Sequence, residues 1–155
     1  MTSEIDPCIE HVCNEHVGGE GDGRSEAGPT GVSLDARVEW SDTDAAGHYH
    51  HSTVIRWVEA AEAKLLRSIG RADLFGVIPR VKYGVEYRGR VWFGDVVTTT
   101  IEIVRIGTSS LTYGFTVEGP EGPVANGTMT VVHTSSSSTG SQPWPADLRA
   151  ALESI

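Results

Sequence analysis

An α+β fold is predicted for this 155-residue chain: an antiparallel sheet of about five strands with one long helix laid against it. Three observations predict it. Five segments show either the period-two apolar alternation of half-buried strands or the Val, Ile and Thr richness of buried ones. A sixth, residues 53–69, has a helical period instead. The last four strands are joined by short turns, which implies that they are antiparallel neighbours. One apolar sheet face then needs cover, and only one long helix is available to give it.

Composition narrows the functional classes. The formal charge is −9 and it is uneven. Residues 1–31 hold seven acids and one arginine (−6), and residues 32–155 hold fourteen acids against eleven Lys or Arg (−3). A negative chain without a basic run argues against nucleic acid. No apolar stretch approaches the roughly 20 residues that span a bilayer, so no membrane partner is expected. No basic segment leads into an apolar one, so no secretory signal is expected. The two cysteines, Cys8 and Cys13, are too few for a disulfide framework, and the cytoplasm is the expected compartment.

Residues 1–31 are rich in Gly, Glu, Asp and Ser without an apolar period, and a disordered acidic extension is expected there. Cys8, His11, Cys13 and His16 are ligand types that zinc accepts. Their spacing is very tight for a tetrahedral site, and no metal is assigned to them.

Residues 32–41 alternate, with Val32, Leu34, Ala36, Val38 and Trp40 on one face. The stretch that carries the chemistry follows: SDTDAAGHYHHSTVIRWVEAAEAKLLRSIG, residues 41–70. Two carboxylates, Asp42 and Asp44, precede a small-residue turn and then His48, Tyr49, His50 and His51. Ser52 or Thr53 is expected to cap the helix by accepting a first-turn amide hydrogen. Val54, Trp57, Val58, Ala61 and Leu65 share one helix face, and Gly70 suits the C-terminal end. An acidic loop thus runs into a helix N-terminus, where amides without partners polarise a carbonyl and stabilise an oxyanion. A carboxylate on one side and an oxyanion donor on the other is the minimum equipment for acyl transfer.

Residues 80–88 alternate next, with Val81, Tyr83, Val85 and Tyr87 on one face. Residues 89–95 read as a turn, 96–106 as a long strand, and 107–109 as a second turn. Leu111, Tyr113, Phe115 and Val117 form the apolar face of the fourth strand. A Gly-Pro-Glu-Gly turn at 119–122 leads to the last strand, 124–134, which contains His133, read as a core histidine. Residues 135–142 are of low complexity, and a short helix over 146–152 closes the chain. Three divisions are expected: 1–31 as the extension, 32–135 as the domain, and 136–155 as a flexible segment with the short helix.

Thr43-Asp44-Ala45-Ala46-Gly47, His50-His51 and Arg56-Trp57-Val58-Glu59 stand in one order over about thirty residues. In this the chain resembles the 4-hydroxybenzoyl-CoA thioesterase-like group of hotdog-fold proteins. The resemblance covers roughly residues 32–155. It departs at Thr53 and Val54, where the group often has Asn and an aromatic, and at Glu62, where it often has Arg. It implies a hotdog fold, a sheet wrapped around the long helix, and an acyl-CoA thioesterase. Asp44 matches the acid that attacks the thioester or activates water, and the main-chain amide of His51 matches the oxyanion donor. The His51 ring either lines the site, orients water or packs. Asp42 reads as a loop carboxylate, and His48 and His50 as bystanders. Tyr49, Trp57 and Glu59 are candidates for substrate binding, with a subunit or helix contact as the alternative for Glu59. Arg88, Arg90, Arg105, Ser109 and Ser110 are candidates for the carrier, with a solvated rim as their alternative. The resemblance implies no cofactor and no metal, and a homodimer or homotetramer.

Other functions stay open at this point. A hydratase of the same fold carries a D-x-N-P-x-H loop, which is absent here. A thioesterase acting on carrier-protein-bound acyl or polyketide chains shares the chemistry, and a non-hydrolytic acyl-binding module shares the fold.

Overall fold

The structure, a computed structural model, describes residues 31–135 and 140–155. Apart from Gly31, the acidic extension with its Cys-His cluster lies outside the described residues, as do residues 136–139 of the low-complexity segment.

The strands are β1 (Gly31–Arg37), β2 (Arg80–Tyr87), β3 (Val96–Ile106), β4 (Ser110–Gly119) and β5 (Gly122–Val132), and the helices are α1 (Thr53–Ser68) and α2 (Ala146–Glu153). All pairs are antiparallel, in the order β1-β3-β4-β5-β2. Helix α1 packs against β1 and β3. Its apolar stripe, Val54, Trp57, Val58, Ala61, Leu65 and Leu66, is buried against Ile101, Leu111, Tyr113, Phe115, Met129 and Val131 in one core. Full burial of one such side chain contributes about 1.5–3 kcal/mol. This is the α+β helix-on-sheet arrangement expected from the pattern.

The expectation that the last four strands are sequential neighbours is corrected at β2, which lies beside β5 and not β3. Residues 88–95 are a crossing rather than a hairpin turn. At one end Arg88 and Gly89 donate to the Val124 carbonyl beside β5 (2.8 and 3.1 Å). At the other, Val38 and Gly94 exchange hydrogen bonds with Asp95 and Val38 after β1 (2.8 and 2.9 Å). Strands β1 and β2 are therefore the two edges of the sheet.

Strand β1 stops at Arg37, short of the expected 41. Trp40–Asp42 forms a 3-10 turn, and Trp40 is 80% exposed rather than inward. Val81 is 59% exposed, because a bulge between Arg80 and Lys82 interrupts the alternation of β2. The expected cap on α1 is also absent. Ser52 is itself helical (φ −70°, ψ −11°) and makes no cap, while the Thr53 hydroxyl donates to the Asp42 carbonyl (2.9 Å). Gly70, at φ 71°, ends the helix as its composition suggested. His133 lies just past β5, half-buried against the Trp144 ring (5.1 Å). Helix α2 joins the same core through Leu148 and Leu152.

Candidate functional site

Asp42 and Asp44, alike in sequence, have different surroundings. Asp42 is 8% exposed. One carboxylate oxygen accepts the Arg56 guanidinium (2.6 Å), and the other accepts the Glu39 amide (2.9 Å). Its carbonyl accepts the His50 amide (2.7 Å) and the Thr53 hydroxyl (2.9 Å). Asp42 thus ties the loop to the start of α1, as a loop carboxylate. Asp44 is exposed. Its amide donates to the His48 carbonyl (3.1 Å), and its carbonyl accepts from Gly47 (2.9 Å). Gly47 takes φ 82°, a conformation that suits glycine. One Asp44 carboxylate oxygen accepts the Ala46 amide (2.8 Å), which orients the group at the tip of the loop.

A cavity of about 330 Å³ opens beside this loop. Asp44, His48, Tyr49 and His51 line it from the loop and the start of α1; Tyr87, Arg88, Gly89 and Arg90 line it from the end of β2. His51 stands two residues before α1, and among the described residues none accepts its amide hydrogen. The Tyr87 hydroxyl donates to the His51 carbonyl (3.0 Å), and the two rings meet edge-on at 6.4 Å. Tyr49 is buried, with its hydroxyl donating to the Gly89 carbonyl (3.2 Å). Burial, and secondarily the neighbouring Tyr87, push its phenol above the ordinary value of 10.0, so it stays a neutral donor. Arg88 is paired with Glu86 and donates to the Asn126 side chain (3.1 Å). Arg90 is exposed and has no partner among the described residues.

Five of the ten candidates, Asp44, Tyr49, His51, Arg88 and Arg90, therefore share one cavity. Trp57 lies behind it, buried against the Tyr49 ring (5.7 Å). Glu59 pairs with Arg80 (3.0 Å), which also holds the buried Glu62 (2.5 Å). Burial raises the Glu62 carboxyl above its ordinary value of 4.5, with Arg80 opposing the shift. Arg105, Ser109 and Ser110 stand elsewhere. Arg37 opposes Val96, so the Asp44 loop leaves the sheet where β3 begins, and Arg105 to Ser110 lie where β3 ends. At strand rise that is roughly 30 Å away.

Sequence reasoning missed Tyr87 as a lining residue, although it closes the alternating run just before Arg88. It also set His48 aside as a bystander, yet His48 lines the cavity. His50 does not; its ring nitrogen meets the Ser52 hydroxyl (2.7 Å). Among the described residues, no three His, Cys, Asp or Glu side chains come together to hold a metal.

A family model described as the thioesterase-like superfamily matches residues 38–152. Among curated proteins, none matches the chain. Solved structures do. A predicted thioesterase from Bacillus stearothermophilus is 26% identical, with a TM-score of 0.73 over 80% of this chain and 95% of that one. A 1,4-dihydroxy-2-naphthoyl-CoA thioesterase from Synechocystis is 16% identical, with a TM-score of 0.73 over 81% and 97%. A thioesterase from Thermus thermophilus, solved with coenzyme A and Zn, is 21% identical, with a TM-score of 0.71 over 79% and 92%. The last two likenesses establish the hotdog fold alone.

Proposed function

This chain belongs to the thioesterase-like superfamily and is a thioester hydrolase, and from that premise we propose that it cleaves an acyl-CoA thioester to the free acid and CoA in the cavity between Asp44 and the start of α1. The observation that carries the reading is that Asp44 and His51 line one cavity with the unpaired Arg90. The thioester carbonyl lies with its oxygen toward the His51 amide and the N-terminus of α1, where the developing oxyanion is stabilised. Asp44 attacks the carbonyl carbon to give a mixed anhydride, or takes a proton from a water that attacks it. Either way the tetrahedral intermediate collapses with loss of the CoA thiolate; on the first route water then hydrolyses the anhydride to the acid and free Asp44, and on the second the proton held by Asp44 passes to the thiolate. Tyr49 and Trp57 supply an aromatic wall on the acyl side, and Glu59, two residues past Trp57 in α1, is held by Arg80.

Among the described residues strand β2 is paired on one edge, and its exposed Val81 and Tyr87 belong to this outer strand. We propose a homodimer, or a homotetramer of two dimers. Arg105, Ser109 and Ser110 contact the same nucleotide only from a second subunit, since within one protomer they sit at the far end of the sheet. A cytoplasmic location suits an acyl-CoA substrate, and no helix among the described residues is long and apolar enough to cross a membrane.

The test is CoA thiol release from a panel of acyl-CoA thioesters. Asp44→Asn should lower kcat roughly a hundredfold or more, the scale of a positioned base or nucleophile. A near-wild-type rate would move the chemistry to another acid, Glu59 first. Single turnover in heavy-oxygen water tests the nucleophilic route: label in the Asp44 carboxylate marks an anhydride that water opens at Asp44.

A further inference from the structure

The backbone that enters α1 is bonded residue by residue. His50 donates its amide to the Asp42 carbonyl (2.7 Å), and its own carbonyl accepts the Thr53 amide (2.8 Å). The Ser52 amide donates to the His50 ring nitrogen Nδ1 (3.3 Å). The His51 carbonyl accepts the Tyr87 hydroxyl (3.0 Å). Among the amides of residues 50–53, that of His51 is left without an acceptor in the described residues. The N–H and C=O of a planar trans peptide point to opposite sides. Thr53, by holding the His50 carbonyl, therefore turns the His51 N–H the other way.

Most of these bonds come from the same loop or from the first turn of α1, and would move with it. Tyr87 reaches across from the opposite wall of the cavity. It ends β2, and its register partner is the buried Ala125, so its ring lies on the core side of the sheet. That wall is fixed. Just past Tyr87, the Arg88 and Gly89 amides both donate to the Val124 carbonyl, and a Cβ on Gly89 would meet the Pro123 carbonyl oxygen at 2.6 Å. Tyr49 joins the walls in the reverse sense, from the loop to the Gly89 carbonyl (3.2 Å). Two phenols thus set the separation of the loop and the end of β2.

Resting on the thioester reading of this cavity, we propose that Tyr87 is a positioning residue for the oxyanion donor: its hydroxyl fixes the His51–Ser52 peptide against β2 and so holds the direction of the His51 amide. An N–H of fixed direction stabilises the charge that develops on the carbonyl oxygen without reorienting at that moment. The same amide gains less from the neutral carbonyl of the ground state, so its alignment enters kcat more than KM.

The test is Tyr87→Phe, which keeps the ring beside His51 and removes the hydroxyl alone. It should lower kcat for acyl-CoA about tenfold, part of what loss of a whole oxyanion donor costs, with KM close to wild type. Two CoA analogues isolate the effect. Trifluoroacetonyl-CoA, whose ketone hydrates to a tetrahedral centre, should bind the variant about tenfold more weakly than wild type. S-propyl-CoA, which has no carbonyl, should bind both proteins equally. In nitrogen-15 relaxation, backbone order should fall at His51 and Ser52 in the variant and hold at Tyr49. Unchanged kcat, unchanged affinity for the ketone, equal weakening of both analogues, or unchanged order at His51 would overturn the proposal. A wild type that cleaves no acyl-CoA would instead remove the thioesterase reading, and the order at His51 would still decide whether Tyr87 holds that amide.

Discussion

The two ends of the sheet hold similar residues and differ in what those residues already bond. At the β3–β4 turn, Arg105 adjoins a run of Gly, Thr and Ser, the composition of a phosphate-binding loop. There the structure shows a docking platform. The Gly107 carbonyl accepts from Arg149 (3.1 Å), the Thr108 carbonyl from the Trp144 amide (3.0 Å), and the Ser110 carbonyl from the Trp144 indole (3.2 Å). The turn holds the segment that carries α2. At the other end several polar groups stay open: Asp44 is exposed, with the Ala46 amide on one carboxylate oxygen, the His51 amide has no acceptor among the described residues, and Arg90 has no partner there. Residue type alone does not mark a site, and neither does one open cation: Arg105 is exposed, has no partner among the described residues and lines a cavity of about 360 Å³, but no exposed acid beside an open helix-start amide shares that cavity, as Asp44 and His51 share the other.

Changes to the bonded groups should therefore cost stability, and changes to the open ones should cost catalysis. The largest stability effect is expected for Trp144→Ala, which empties a 6%-exposed site and removes the bond to Ser110. About 3–5 kcal/mol should be lost, read as a lower midpoint in denaturant, with KM for acyl-CoA unchanged in the folded fraction. Asp42→Asn comes next, at about 1–3 kcal/mol, because it weakens charge-assisted bonds to Arg56 and Glu39. A midpoint equal to wild type would make that anchor dispensable.

The third expectation concerns pH. Burial holds the Glu62 carboxyl above 4.5, so the folded state keeps a proton that the unfolded state releases. Stability from this group is complete below 4.5 and falls as pH rises toward the raised value. The midpoint of Glu62→Gln minus that of wild type should increase over this window; a flat difference would show that Arg80 fully compensates the charge. The smallest effect is expected from Arg105→Ala, which should leave KM for acyl-CoA unchanged in a protomer acting alone. A rise in KM would bring a second subunit's sheet end into the site.

Much of the fold was legible because its signals are local and long. Strand β3 runs over the residues its Val, Ile and Thr content predicted, and α1 covers 53–68 with its apolar stripe inward. The place of β2 was not legible, since pairing with β5 depends on a crossing loop whose bonds reach Val124 at one end and Val38 at the other. Trp40 continued the alternation of β1 by coincidence, because Asp42 turns the backbone there by binding the Glu39 amide. At the site, the ordered motif from Asp44 to Glu59 located the cavity. The difference in surroundings between Asp42 and Asp44 rests on Arg56, fourteen residues from Asp42, and Tyr87 reaches His51 across thirty-six. Contacts at that separation leave no periodic trace.

Asp44 and Asp42 are separated most directly by measuring acyl-CoA turnover and the denaturation midpoint together for the two Asn variants. If the exposed carboxylate does the chemistry and the buried one holds the loop, Asp44→Asn loses roughly a hundredfold or more in kcat at an unchanged midpoint. Asp42→Asn should lower the midpoint and keep most of its turnover. Near-wild-type turnover in Asp44→Asn, or a larger kcat loss in Asp42→Asn at an unchanged midpoint, would contradict the assignment of the reaction to Asp44.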